Sequence, residues 1–321
     1  MKYNISIIIP VFNEEESIPE LIAWIERVMT NNPMLSYEVL MIDDGSSDES
    51  WNIIQNLAKN KHQVKGIKFS RNYGKSAALH TGFHSSQGEV VITMDADMQD
   101  SPDEIPALYD MVVKEGYDIV SGWKKKRHDP ISKTIPSKFF NLVTRRISGI
   151  KLHDFNCGLK AYRDKVVKNI DVYGEMHRYI PVIAKWNGFR KIGEKVVEHR
   201  ARKYGETKYG LERFLYGFLD LLSITFVSKF KKSPMHFFGA MGTLSFIFGF
   251  FVTIYIIGKK FYEIHYSLPV REITDQPLFF LALVALIVGV QLFLAGFVGE
   301  MITMNSPRKV DYIIDEETGI G

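Results

Sequence analysis

The chain has 321 residues, which points to about two domains. Its formal net charge of +3 is small for that length and argues against nucleic acid, whose partners concentrate basic residues on one face. Cys157 is the only cysteine, so an intrachain disulfide is excluded, which suits a cytosolic head.

The N-terminal apolar run is about five residues long before a proline, shorter than a signal-peptide core. Ile5–Ile9 is therefore expected to be a buried first strand, ended by Pro10. Glu14–Thr30 has helical spacing of Ile18, Leu21, Ile22, Ile25 and Val28. Tyr37–Ile42, Val64–Phe69, Val90–Met94 and Asp118–Ser121 read as further strands, separated by helices through Leu57, over Lys75–Ser86 and over Ile105–Lys114. Such alternation implies right-handed βαβ crossovers and a mostly parallel, Rossmann-like sheet. From about Trp123 to Ile150 the chain is basic and less regular; Cys157–Tyr162 and Lys195–His199 are candidate added strands.

Beyond Lys229 the composition changes. Ser233 to Gly258 and Gln276 to Gly299 are uncharged apolar runs. Each is long enough to cross a hydrocarbon core of ~30 Å as a helix. Pro234 opens the first, Lys259 and Lys260 stop it, and Glu300 ends the second. Leu211–Phe230 reads as an amphipathic helix lying at the interface, with lysines near headgroups; a core helix of the head satisfies the same pattern. The expected organisation is a catalytic domain over 1–208, an interfacial helix over 209–232, a transmembrane hairpin over 233–300 and a tail over 301–321. Head and tail then share one side, expected to be the cytosolic face of the inner membrane. Lys229, Lys231, Lys232, Arg308 and Lys309 flank that side, against Lys259, Lys260 and Arg271 in the loop. Gly242 and Gly249, like Gly289 and Gly296, recur one heptad apart and would allow close helix packing.

In open α/β sheets ligands bind beyond the carboxyl ends of the strands. Three polar clusters fall there: Pro10–Glu15, Asp43–Asp48 and Asp95–Asp100. No Gly-x-Gly-x-x-Gly follows the first strand, which weakens a dinucleotide reading. Asp95-Ala96-Asp97 is the sharpest local motif. A departing diphosphate needs its charge neutralised, and a divalent ion held by one or two carboxylates does this. His80, His84 and His153 form no metal-ligand spacing of their own, and Cys157, with no base partner in view, is expected to be a buried structural thiol.

The segments Pro10-Val11-Phe12-Asn13-Glu14, Asp43-Asp44-Gly45-Ser46 and Met94-Asp95-Ala96-Asp97-Met98-Gln99 resemble the inverting GT-A glycosyltransferases of family 2. With Asp154–Lys160, His199–Tyr209 and the two-helix tail, nearly the whole chain resembles the polyprenyl-phosphate glycosyltransferases, of the dolichol-phosphate mannose synthase and bactoprenol glucosyltransferase type. Thr207 stands where many members have serine, which keeps the hydroxyl. The resemblance implies a GT-A head and a set of roles. Pro10, Phe12, Asn13 and Glu14 would line the nucleotide pocket, and Asp43 or Asp44 would contact base or ribose. Asp95 and Asp97 would serve Mg²⁺ or Mn²⁺ and the diphosphate, with Gln99 nearby. Arg202 and Lys208 would meet the diphosphate, as guanidinium and ammonium groups suit phosphate oxygens. Lys124, Arg127, Lys133 and Lys138 are the candidates for the acceptor phosphate. Asp97 and Asp154 are the candidate catalytic carboxylates, Asp154 lying near the sugar.

The expected reaction moves one sugar from a nucleotide sugar, UDP-linked by the bacterial resemblance, to undecaprenyl phosphate with inversion. A phosphate monoester with a second pKa near ~6 is already a competent nucleophile, so no strong base is required. The implied partners are the donor, the lipid phosphate and the bilayer, with a homo-oligomer, a flippase and a downstream glycosyltransferase as further candidates. A processive polysaccharide synthase is the rival within the class, though the chain lacks Gln-x-x-Arg-Trp and further membrane helices. A non-catalytic sugar-nucleotide scaffold is the rival outside it; the intact Asp95 and Asp97 pair argues against that reading.

Overall fold

The computed structural model describes residues 2–125, 141–174, 176–200, 233–269 and 271–305. These fall into two compact units, one within 2–200 and one within 233–305.

The first unit is a seven-stranded sheet in the order β3-β2-β1-β4-β6-β5-β7. Its strands are β1 (Tyr3–Val11), β2 (Tyr37–Asp43), β3 (Val64–Lys68), β4 (Gly88–Thr93), β5 (Ile119–Trp123), β6 (Lys160–Arg163) and β7 (Ile192–Val196). All neighbouring pairs are parallel except those made by β6, which runs antiparallel between β4 and β5. The helices are α1 (Ile18–Thr30), α2 (Ser50–Asn60), α3 (Lys75–Ser85), α4 (Ile105–Val113), α5 (141–148), α6 (Asp164–Val167) and α7 (Ile180–Trp186). Two apolar cores sandwich the sheet. The period-2 alternation of β1 supplies both: Ile5, Ile7 and Ile9 pack with α1 and α4, while Ile8 packs with Leu79 and Phe83 of α3.

Pro10 does not end the first strand. It pairs with Ile42, and β1 continues to Val11. The ladder to β4 stops at Ile8 and Thr93, so Pro10 sits where its missing N–H faces no strand, a tolerated position. The first helix begins at Ile18 rather than Glu14, because residues 14–17 form a turn: the Glu14 and Glu15 N–H groups bond to Ser50 and Asp48, and the Ser17 N–H bonds back to the Glu14 carbonyl. The final strand is Ile192–Val196, and His199 makes only an isolated bridge to Asp100.

The second unit is a helical hairpin of α8 (Pro234–His265) and α9 (Pro277–Asn305). Its burial is the inverse of the first unit's. Phe246, Phe251, Leu281, Val284 and Phe297 are exposed, whereas Gly239, Gly242, Gly249 and Ala282 are buried. A methyl group at Gly242 would lie 2.6 Å from the Gly289 carbonyl oxygen, so the backbones touch where glycine permits it. Ser245 Oγ donates to the Ala285 carbonyl at 2.8 Å, and Glu300 accepts the Met235 N–H at 3.2 Å, satisfying one donor at the start of α8. Both helices are long and apolar enough to cross a membrane. Lys259 and Lys260 end the apolar stretch but not the helix, since lysine is a good helix former; they pair with Glu263 at 3.7 Å and Glu272 at 3.3 Å. The expected interfacial helix over 209–232 and most of the tail lie outside the described residues.

Candidate active site

The carboxyl ends of β1, β2 and β4 lie side by side, so the segments that follow them share one edge of the sheet. The loops after β1 and β2 are stitched together. Asn13 adopts a left-handed backbone (φ 54°), which asparagine tolerates better than most residues. Its N–H donates to Ser46 Oγ at 2.9 Å, and its Oδ1 accepts the Ser47 N–H at 2.9 Å. Glu14 N–H donates to Ser50 Oγ at 2.9 Å, and its carboxylate accepts Ser17 Oγ–H at 3.0 Å. The polar groups of Asn13 thus tie the loop after β1 to the loop after β2. Pro10 and Phe12, just before Asn13, are half-buried.

The two aspartates after β2 have different duties. Asp44 accepts the N–H groups of Tyr73 at 2.7 Å and Gly74 at 2.9 Å, anchoring the approach to α3. Burial raises its pKa, these two donors oppose the rise, and the Asp43 charge adds to it. Gly45, at φ +71°, is required here: a methyl group would lie 2.4 Å from the Arg71 carbonyl carbon. Asp43 is fully buried, and its Oδ1 accepts the Ser46 N–H at 3.1 Å. Its Oδ2 has Lys68 at 4.0 Å and makes no hydrogen bond among the described residues. Of the pair, Asp43 is the one with an acceptor unspent.

Asp95 follows β4 and sits in a nest of cations. Burial opposes its ionisation, but Lys75, which ion-pairs with it, and then Lys124 hold its pKa down at about 2. The other oxygen fills the space where Gly158 has no side chain; a methyl there would lie 2.5 Å from Asp95 Oδ2. Asp97 is buried, and its Oδ1 accepts the Gln99 N–H at 3.2 Å. Asp100 supports the turn: its Oδ2 accepts the Asp95 N–H at 3.3 Å and its Oδ1 pairs with Lys124 at 2.9 Å. Burial disfavours the Lys124 ammonium, yet the Asp100, Cys157 and Asp95 charges outweigh it and raise the pKa. Lys124, an expected acceptor-phosphate group, is thus paired with a carboxylate of the turn after β4.

Lys160 lies beneath this cluster, buried, donating to the Cys157 carbonyl. Burial lowers its pKa, while Asp154 and Asp95 are among the groups that oppose the shift, so Lys160 is electrostatically coupled to both carboxylates. Asp154 is buried; its Oδ1 accepts the Asn156 N–H at 3.0 Å and its carbonyl accepts Ser121 Oγ–H at 3.2 Å. His177 shares a hydrogen bond with Ser76 Oγ at 3.1 Å. Burial, then Lys75, Arg178 and Lys160, push its pKa well down, so it is neutral beside Asp95. Cys157 is buried and its thiol is pushed up to about 12 by that burial, consistent with an inert thiol.

The segment leading to Arg202 lies against this edge. Arg200 N–H donates to the Gln99 carbonyl at 3.1 Å, and its guanidinium stacks over Trp24 at 4.2 Å. Arg202, Lys208, Arg127, Lys133 and Lys138 lie outside the described residues. Sequence reasoning missed Lys75, His177 and the central place of Lys160. Lys75 had a faint signal, a lysine directly after Gly74 at a helix start; His177 is brought in only by the fold.

Asp95 and Asp97 suit a hard divalent cation: two oxygen donors from one strand end, one of them held ionised. The remaining positions would go to phosphate oxygens and water.

The model of the glycosyl transferase family 2 matches residues 6–171. The chain is 34% identical over 302 residues to the dodecaprenyl-phosphate galacturonate synthase of Rhizobium johnstonii, covering 93% of this chain and 87% of that one. It is 35% identical over 252 residues to the undecaprenyl-phosphate 4-deoxy-4-formamido-L-arabinose transferase of Pseudomonas aeruginosa, covering 78% and 73%. Among solved structures, glucosyl-3-phosphoglycerate synthase from Mycobacterium tuberculosis, in complex with Mn²⁺ and UDP-glucose, shares the fold. The TM-score is 0.53 at 17% identity, over 71% of this chain and 79% of that one. The chain therefore belongs to glycosyl transferase family 2, in its polyprenyl-phosphate glycosyltransferase branch.

Proposed function

We propose that the protein transfers a single sugar from a UDP-hexose to undecaprenyl phosphate, with inversion, at the cytosolic face of the inner membrane. The observation that carries this reading is the Asp95–Asp97 turn at the carboxyl end of β4, with Lys75 and Lys124 around it. Opposed charges at a strand end can receive a diphosphate and a divalent ion together. The names of the relatives support the lipid phosphate as acceptor. The Mn²⁺ and UDP-glucose of the structural neighbour support the donor class. The two apolar helices support a substrate met at the membrane.

In this reading Asp95 and Asp97 would hold Mg²⁺ or Mn²⁺, which would supply positive charge to offset that of the leaving diphosphate. Asp43 accepts a hydrogen bond from the nucleoside, the only partner its Oδ2 then gains. Lys75 and Lys124 offset diphosphate charge, joined by Arg202 and Lys208. An oxygen of the acceptor phosphate attacks the anomeric carbon from the face opposite the diphosphate. The carbon–oxygen bond to the donor breaks, and its electron pair stays on the leaving diphosphate. Asp154 stabilises positive charge building at the sugar. Positioning and electrostatics carry the acceleration. Arg127, Lys133 and Lys138 remain the candidates for holding the acceptor phosphate.

The test is a panel of UDP- and GDP-sugars with undecaprenyl phosphate and Mg²⁺ or Mn²⁺, reading lipid products by mass. One donor should give a lipid heavier by one sugar, only with metal. Ladders of added sugars would support a processive synthase, and no product with any donor would support a scaffold.

A further inference from the structure

We propose that the chain carries a second divalent-metal site, formed by His80, His84 and Asp171, and suited to Zn²⁺ rather than Mg²⁺. The histidines alone are an ordinary pair on one face of α3, spaced i, i+4. The fold adds what that pair lacks. It brings Asp171, from the segment after α6, to them, so that one ligand atom from each residue lies within 4.8 Å of the others. The His80 and His84 rings are 4.4 Å apart at 69°. His80 Nδ1 is buried and makes no hydrogen bond among the described residues, so that nitrogen has a lone pair or proton unspent. The nearby ammonium of Lys168 is committed to the carbonyls of Phe83, His84 and Ser86, at 2.6, 3.0 and 2.8 Å.

Ligands of a tetrahedral zinc, with Zn–N near 2.1 Å, are about 3.4 Å apart. The three atoms must therefore draw together by roughly 1.4 Å at most, a shift that the exposed His84 and Asp171 side chains would make on binding. Two imidazoles and one carboxylate select Zn²⁺ and its neighbours Co²⁺, Ni²⁺ and Cu²⁺; a site for Mg²⁺ is built from oxygen. Three protein ligands leave a fourth position to water. The site is separate from Asp95: His80 and His84 lie about 8 and 14 Å along α3 from Lys75 at its start. Bound metal would clamp the chain after α6 onto α3, shortly before His177, which is itself bonded to Ser76 of the same helix.

The experiment uses untagged full-length enzyme in detergent, stripped with EDTA and dialysed against Zn²⁺ in excess Mg²⁺. Metal is counted by mass spectrometry, and Co²⁺ is then read by its ligand-field absorption. Wild type and Asp95→Asn should each retain one Zn²⁺ per chain. His84→Ala should lose it, and Asp171→Asn should weaken it by about tenfold or more. Zn²⁺ should raise the thermal midpoint of wild type and not of His84→Ala. Both altered side chains are exposed, so the variants should fold. Equal retention by His84→Ala, no retention by wild type, or loss in Asp95→Asn would each overturn the proposal.

Discussion

The amino and carboxyl ends of β2 each bury a carboxylate completely, and the two differ in what surrounds them. At the amino end, Glu38 accepts Ser6 Oγ–H at 2.6 Å and the Gln87 N–H at 2.8 Å on one oxygen, and pairs with Lys65 at 2.5 Å on the other. Its bonding capacity is spent inside the protein, and its work is to hold β1, β2, β3 and the start of β4 in register. At the carboxyl end, Asp43 has one oxygen bonded and one without a hydrogen bond among the described residues, and after the neighbouring β4 the partly exposed Asp95 is held ionised by Lys75 and Lys124. Buried polar groups are normally satisfied. In the proposed reaction the open acceptor of Asp43 is where the nucleoside bonds.

The contrast can be broken by substitution. Asp95→Asn should lower kcat per folded molecule by roughly 10³-fold, since in the proposed reaction it removes the charge organising the diphosphate, with a smaller loss of stability from the broken Lys75 pair. An equal loss of folding would put Asp95 with Glu38 instead. Gly158→Ala should cost about 10²-fold in kcat by displacing the Asp95 carboxylate, measurable with saturating donor. Asp43→Asn should act on donor affinity, raising KM by about 10-fold or more. Glu38→Gln should do the opposite, destabilising the head by ~1–3 kcal/mol in denaturant melts with the donor KM unchanged.

The smallest effect is at Cys157. Its folded pKa, about 12, lies above the ordinary value of 9.0. The buried thiol therefore contributes stability below pH 9, and that contribution is lost as pH rises through 9 toward 12. Alkylation of native protein at pH 8 should be slow against the same protein in urea. Rapid native labelling would show the thiol to be accessible.

Much of this was legible in the residues because it depends on period and position. Alternating β-branched residues in β1, β2 and β4 declare strands, and Asp43 and Asp95 follow directly from strand ends. The apolar runs declare membrane-length helices, but both helices run on past their apolar stretches, α8 through Lys259 and Lys260 and α9 through Glu300, because lysine and glutamate close an apolar stretch without closing a helix. Pro10 misled for a related reason: a proline is excluded only where its missing N–H faces a neighbour, and that neighbour, β4, has already ended. Neighbouring positions in the sequence could not separate Asp43 from Asp44, which differ in their hydrogen bonding: both Asp44 oxygens are taken, one of Asp43's is not. His177 and Asp171 reach α3 through tertiary packing across more than 80 residues, and no local spacing records that.

The most direct test follows labelled sugar from a UDP-hexose into a chloroform-extractable undecaprenyl-phosphate product, for wild type against Asp95→Asn at equal folded concentration. The account predicts one metal-dependent product carrying a single sugar, reduced about 10³-fold in the variant. Undiminished transfer by Asp95→Asn, with the same metal dependence, would contradict it.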